Sequence, residues 1–266
     1  MTAPDDPYAA IAAWYDVEHD ALTEDIECFA SLLAPAPGGH AFVLEIGAGT
    51  GRIAAALAVA GHSITAIEPS AAMRERFSRR LTQIPERAAR RVTLLPGTAE
   101  APGLAADQRF GTVLLSQNLL AHLLTPDERH AALTAAFAAL RPGGRLLADV
   151  DLLGPRRLLE SAHQLWLQGV WNLPSGEQLE HLVAGAPGTQ PSTVELTHLY
   201  DVHAPGGPLR RTTTRMMLAV LSKGEVEVAL LRAGFGVEAI HGNYDLAPYD
   251  DTSPRAIFDA RRPIVV

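Results

Sequence analysis

Residues 43–52, Val-Leu-Glu-Ile-Gly-Ala-Gly-Thr-Gly-Arg, form an apolar run that enters three alternating glycines and leaves toward a helix. This order suits close approach of backbone to a ligand. Gly47, Gly49 and Gly51 permit a tight turn with no Cβ in the way, and the helix start offers free N–H groups. Many nucleotide-binding folds share such spacing, so the neighbouring residues decide the ligand. Arg52 stands where the third glycine of the dinucleotide fingerprint would fall, which disfavours a pyrophosphate. Glu45, two residues before Gly47, also repels an anion at the strand end but not a cationic ligand. Glu68, 17 residues after Gly51, closes a second apolar run, where a carboxylate can accept both hydroxyls of a ribose. His122 follows at the far side of a later strand and is the best base candidate, with hydrogen bonding within its own turn as the plainer alternative. Asp149 and Asp151 alternate along one strand and face opposite ways; Asp151 lies nearer the strand end and is the second catalytic candidate, or else a turn-forming acid before Gly154 and Pro155.

These residues need elements to hold them. The first half alternates short apolar strands with helix-like segments, the pattern of a parallel sheet covered on both faces. Strands are expected at Val43–Gly47, Ser63–Ile67, Val92–Pro96, Phe110–Ser116 and Arg145–Asp151. Helices fall at Arg52–Ala60, after Pro69 and Ser70, and at Pro126–Leu140, with Thr125 as N-cap and Arg141-Pro142-Gly143-Gly144 as the stop. Beyond Leu153 the alternation breaks. A segment carrying Trp166, Gly169, Trp171, Pro174 and Gly176 precedes two β-like stretches, Thr193–His203 and Leu209–Leu221, that read as a hairpin. Lys223–Ala233 has helical spacing, and Phe235–Tyr244 and Ala256–Pro263 read as the last strands.

With these elements in place, the chain resembles the seven-stranded class I S-adenosylmethionine-dependent methyltransferases. The first motif of that family is matched by Glu45 to Gly51 and its ribose-binding acid by Glu68. Leu140 to Arg145 resembles the family's junction into strand five, and Leu231 to Phe235 the approach to strand six. The resemblance implies an α/β fold: a doubly wound, mostly parallel seven-stranded sheet with a small antiparallel cap inserted after strand five. Its divisions would be a cofactor-binding core with N-terminal helices over 1–153, the cap over 154–222, and completion of the core sheet over 223–266. It implies S-adenosyl-L-methionine as cofactor, with Pro69 beside Glu68 and the adenine near Thr98, Ala99 and Glu100. Thr98 departs from the acid usual there, leaving Glu100 or backbone near Ala99 to meet the adenine amine. Ser116 and Gln117 would offer backbone oxygen to the methionyl ammonium. Tyr15, within Trp14-Tyr15-Asp16, would close over the methionyl end or simply pack the first helix.

Composition agrees with a globular enzyme. The 266 residues, 47% hydrophobic and 20% charged, suffice for a buried core. A net charge of −8 opposes capture by nucleic acid or an anionic membrane, and the basic run from Arg74 to Arg91, interrupted by Glu75 and Glu86, reads as a solvated helix face. The acidic opening lacks the basic segment and apolar run of a secretory signal, so a cytoplasmic location is expected, with the first few residues loose. Cys28, the single cysteine, excludes an internal disulfide, and no metal site is expected from His, Asp and Glu spacing.

The partner would be a small-molecule acceptor, with a homodimer as one assembly. Trp166, Trp171, Tyr200 and Met216 would line an apolar acceptor pocket under the cap, or form the cap's own core. His198 and His203 lie on the same hairpin. A natural-product tailoring enzyme fits this reading. Rival readings are a protein that binds the cofactor without methylating, such as a cyclase, and an RNA or protein methyltransferase.

Overall fold

Strand β1 (Phe42–Ile46) shows how the core is organised, because its side chains alternate between two apolar layers. Leu44 and Ile46 enter one layer with Leu133, Ala136 and Leu230, and Val43 enters the other with Ile53, Leu57 and Phe77. Five parallel strands share this arrangement: β1, β2 (Ser63–Ile67), β3 (Val92–Leu95), β4 (Phe110–Leu115) and β5 (Leu140–Asp151). The sheet is completed by β10 (Gly236–His241) and β11 (Arg255–Arg261), giving the order β10-β11-β5-β4-β1-β2-β3. Only β11 runs against its neighbours. The computed structural model describes residues 6–33, 41–204 and 206–264. The segment expected to be loose falls on residues 1–5, outside them.

The helices are α1 (Ala12–His19), α2 (Glu24–Leu32), α3 (Arg52–Val59), α4 (Ala71–Leu81), α5 (Glu86–Ala89), α6 (Leu119–His122), α7 (Pro126–Ala139), α8 (Gly154–Glu160) and α9 (Lys223–Arg232). Ser70 caps α4, accepting from the Met73 N–H, and Thr125 forms a reciprocal capping box with Glu128 at α7. The Arg141–Gly144 segment does end α7, yet it continues as strand and bulges against β4, so β5 starts earlier than expected. No helix among the described residues is long and apolar enough to cross a membrane.

Two expectations need correction. The cap is not one hairpin but a four-stranded antiparallel sheet of β6 (Leu165–Asn172), β7 (Gln178–Pro187), β8 (Thr193–His203) and β9 (Leu209–Ala219), in that order. The Trp166–Gly176 segment supplies β6 and the turn into β7. The basic run is also more than a solvated face. Arg80 donates to Asp16, Asp20 and the Thr50 carbonyl, and Arg74 to the carbonyls of Glu68 and Pro69, so α4 holds α1 and the end of β2.

Candidate active site

The chain turns back across β1 between β3 and β4, so a crevice opens at the carboxyl ends of β1, β2 and β4. The glycine loop lies there with Gly47, Gly49 and Gly51 at φ of 73°, 58° and 79°. The three are not equivalent. A Cβ on Gly49 would meet nothing closer than the Tyr15 ring at 3.9 Å, so this backbone faces open space. A Cβ on Gly51 would stand 2.2 Å from the Phe77 ring, and Gly51 therefore answers to packing against α4 rather than to a ligand. Gly47 and Gly49 line the cavity of this crevice, and Gly51 does not.

Glu68 is nearly sealed and accepts two backbone hydrogen bonds of 2.8 Å, from Gly49 to Oε2 and from Ser70 to Oε1. Burial raises its pKa, and those two N–H groups oppose the rise. Each oxygen keeps a lone pair for a further donor, which suits a diol. Glu45 lies beneath the loop, where burial pushes it up to about 8 despite the Ser116 hydroxyl at 3.4 Å. Its Oε2 is buried without a partner.

A cavity of about 510 Å³ occupies the crevice and brings together Tyr15, Gly47, Gly49, Glu68, Pro69, Ser116, Gln117 and His122. Sequence reasoning missed Asp6, Pro7 and Tyr8, which also line it, because that segment carries neither periodicity nor a motif. Tyr8 matters most, with its hydroxyl 3.0 Å from His122 Nε2. Burial holds the phenol protonated and pushes His122 down to about 4, so the imidazole is neutral near pH 7. In the tautomer with hydrogen on Nδ1, the phenol donates to Nε2 and occupies the lone pair that a base would use. The geometry thus favours an orienting His122 over the expected base.

Several expected residues lie elsewhere. Asp151 Oδ1 accepts from the N–H groups of Leu153 and Gly154, the arrangement of the turn-forming acid that is its alternative reading, and Asp151 does not line the cavity. Asp149 is the strand-five acid behind the site: it accepts from the Gln117 N–H at 2.7 Å and is held by Tyr244 and Arg255. Gln117 has φ 56°, and its side chain donates to Asp25, which is paired with Arg52. Thr98 and Glu100 are exposed and Ala99 is in the core; none lines the cavity. Nor do the four cap residues. Trp166 is exposed with Nε1 on Ser161, while Trp171, Tyr200 and Met216 form a small core with Ile11, Trp14 and Leu179. A larger groove of about 830 Å³ between α7 and α9 shares no residue with this site.

The donor set fits the implied cofactor. Among the described residues the cavity lining carries the carboxylates of Asp6 and Glu68 and no Arg or Lys, so it favours a cationic ligand over an anionic one. Comparisons with known proteins point the same way. Residues 43–144 match a family described as a methyltransferase domain. The chain is 28% identical over 196 residues to the ubiquinone/menaquinone biosynthesis C-methyltransferase UbiE of Rubrivivax gelatinosus, covering 71% of this chain and 69% of that protein. Among solved structures, the CcbJ methyltransferase from Streptomyces caelestis matches with a TM-score of 0.80 at 24% identity, over 97% of this chain and all (100%) of that one. CalS10, an amino pentose methyltransferase from Micromonospora echinaspora involved in calicheamicin biosynthesis, matches in its S-adenosylmethionine-bound form. Its TM-score is 0.70 at 19% identity, over 98% and 99% of the two chains. The seven-stranded sheet and the separate antiparallel sheet after β5 are thus the fold that the sequence implied.

Proposed function

We propose that this S-adenosylmethionine-dependent methyltransferase, of the class I Rossmann-like kind, methylates an amine on a small organic molecule. The observation that carries this reading is the charge of the cavity: two carboxylates, a neutral histidine and no cationic side chain line it. An amine, which reaches the site as ammonium, is drawn to such a lining, whereas a carboxylate or phosphate acceptor is repelled. CalS10, an amino pentose methyltransferase, supports the same class of acceptor.

When bound, the cofactor supplies an activated methyl on a sulfonium. In this reading Glu68 and the Gly49 backbone hold the ribose, and Ser116 and Gln117 meet the methionyl end. Tyr15 covers that end from α1, placed by the Arg80 contacts to Asp16 and Asp20. Tyr8 and His122, fixed by their mutual hydrogen bond, orient the acceptor for in-line attack, and positioning supplies most of the rate. Asp6, Pro7 and Tyr8 would wall the acceptor, with the cap behind them through the Thr214 hydroxyl on the Pro7 carbonyl.

The test is a matched pair of probes, a methyl aminoglycoside and the corresponding methyl glycoside with hydroxyl in place of amine, each incubated with the cofactor. Methylated amine and demethylated cofactor from the first probe alone are expected. Turnover of the hydroxyl compound alone would overturn the amine reading and restore the need for a base.

A further inference from the structure

Gln117 and Asn118, which follow β4, are both left-handed, with φ of 56° and 63°. Asparagine visits that region readily, but glutamine is strained there, and such strain persists only where the surrounding structure fixes it. Two elements fix this turn. The Gln117 N–H donates to Asp149 Oδ1 of β5 at 2.7 Å, and its Nε2 donates to Asp25 Oδ2 of α2 at 2.6 Å. Asn118 Oδ1 accepts from the Asp151 N–H of β5 at 3.1 Å. Asp25 is held in turn. It is 1% exposed and takes both terminal nitrogens of Arg52, Nη1 on Oδ1 at 2.8 Å and Nη2 on Oδ2, while Arg52 Nη1 also donates to the Leu22 carbonyl at 2.6 Å.

These contacts narrow which atom of the turn meets a ligand. Ser116, Gln117 and Leu119 line the cavity. The Ser116 carbonyl accepts from the Leu119 N–H, and the Asn118 carbonyl from the Ala121 N–H. The Gln117 N–H and side-chain NH2 are taken by Asp149 and Asp25, and among the described residues none donates to its carbonyl. That oxygen is the backbone group that the turn leaves for a cationic N–H in the cavity. Its direction is set by the dihedrals of the residue, so releasing Gln117 from the left-handed region would turn it. Arg52 stands at the other end of the same arrangement. It is the first residue of α3, directly after the glycine loop, so its ion pair with Asp25 ties that loop to the turn after β4.

We propose that Asp25 and Arg52 are positioning residues for the cofactor, holding Gln117 left-handed so that its carbonyl accepts a hydrogen bond from the methionyl ammonium. Arg52 orients the Asp25 carboxylate by a two-point contact, Asp25 anchors the Gln117 side chain, and Asp149 holds the N–H of the same residue. The two backbone segments that face the cofactor, the glycine loop and the turn after β4, thereby keep one spacing. The inference rests on the reading that the methionyl end lies at Ser116 and Gln117, and it is independent of the acceptor.

The test is calorimetry with two probes, S-adenosylhomocysteine and methylthioadenosine. They share the adenosine and the sulfur, and only the first carries the amino-acid end. The wild-type protein should bind S-adenosylhomocysteine more tightly. Gln117→Leu removes the anchor and leaves the Asp25–Arg52 pair in place, and it should weaken S-adenosylhomocysteine binding about 10- to 100-fold with methylthioadenosine binding unchanged. Gln117→Gly takes the left-handed region without strain and should bind S-adenosylhomocysteine more tightly than Gln117→Leu does. Arg52→Lys keeps a cation beside Asp25 but gives up the two-point contact, and should show the same selective loss to a smaller degree. Equal weakening of both probes in Gln117→Leu and Arg52→Lys, the result of a general loosening of the site, would overturn the proposal, as would unchanged affinity for both. Weaker binding by Gln117→Gly than by Gln117→Leu would also overturn it, since the side chain rather than the backbone would then make the contact. Equal affinity of the wild-type protein for the two probes would instead overturn the placement of the methionyl end, and the inference with it.

Discussion

Strand β4 of the core is buried at every residue, while β6 of the cap is exposed over most of its length. The seven-stranded sheet is covered on both faces, so almost every side chain along its strands is needed for packing and ligand chemistry is pushed to the strand ends and the backbone. The cap sheet buries one face only. That inner face carries His181, His198 and Tyr200 where a core strand would carry Val or Leu. The contrast separates two kinds of material: the core presents a backbone glycine loop at its strand ends, and the cap presents polar and aromatic side chains on its inner face.

The largest expected effect tests the core side. Gly51→Val combines a left-handed backbone with a collision against Phe77, and should cost about 4 kcal/mol or more in thermal or chemical denaturation. Gly49→Val adds backbone strain of about 1–2 kcal/mol but faces the cavity, so its main result should be loss of cofactor binding by calorimetry. A stable Gly51→Val protein, or normal affinity in Gly49→Val, would break the division of labour within the loop.

The pH dependence of stability should have opposite signs for the buried acid and the buried histidines. For Glu45, raised from 4.5 to about 8, the folded state holds more protons between those values. Stability is therefore greatest at the acidic end and is lost as pH rises toward 8, by about 3–5 kcal/mol in the cofactor-free protein. For His122 and His198, lowered from 6.5 to about 4, the unfolded state holds more protons in that interval. Their contribution is present above pH 6.5 and is lost as pH falls toward 4, on the order of 2 kcal/mol each. Denaturation across pH should show Glu45→Gln flattening the first limb and leaving the second. A Glu45→Gln protein with an unaltered alkaline limb would remove Glu45 from this account.

Glu68→Ala comes next. Loss of charge-assisted hydrogen bonds should weaken cofactor binding by about 1–3 kcal/mol, and calorimetry on a folded variant reads this directly. Unchanged affinity would exclude Glu68 from the ribose site. The smallest effect belongs to the outer side of the cap. Trp166→Ala should change stability by less than about 0.5 kcal/mol and leave turnover intact, because the ring is exposed. A large loss of turnover would return Trp166 to the acceptor pocket.

Legibility follows the same division. Strands buried on both faces are continuous apolar runs, so β1, β2 and β4 stand where the pattern put them within a residue or two at their ends. The hairpin of β6 and β7 was missed because β6 is largely exposed and interrupted by Gly169, across which the Trp171 ring lies. The signal there is weak: Leu179 stands between Gln178 and Glu180 shortly after the Pro174-Ser175-Gly176 turn, but His181 and Leu182 break the alternation. Nothing comparable announces Tyr8.

The sequence by itself determined the glycine-loop side of the cavity. A glycine turn, the strand before it and the acid ending the next strand are local features, and backbone conformation is set largely by neighbouring residues. Only the tertiary structure decided which glycine faces the cavity, which of Asp149 and Asp151 lies behind it, and that His122 is tied to Tyr8. Positions 7, 8, 18, 122, 181, 198 and 214 are joined only when the N-terminal segment, α6 and the cap sheet pack together. Side-chain contacts between segments so far apart along the chain leave no period or spacing to read, because they are selected by complementary surfaces rather than by the local backbone.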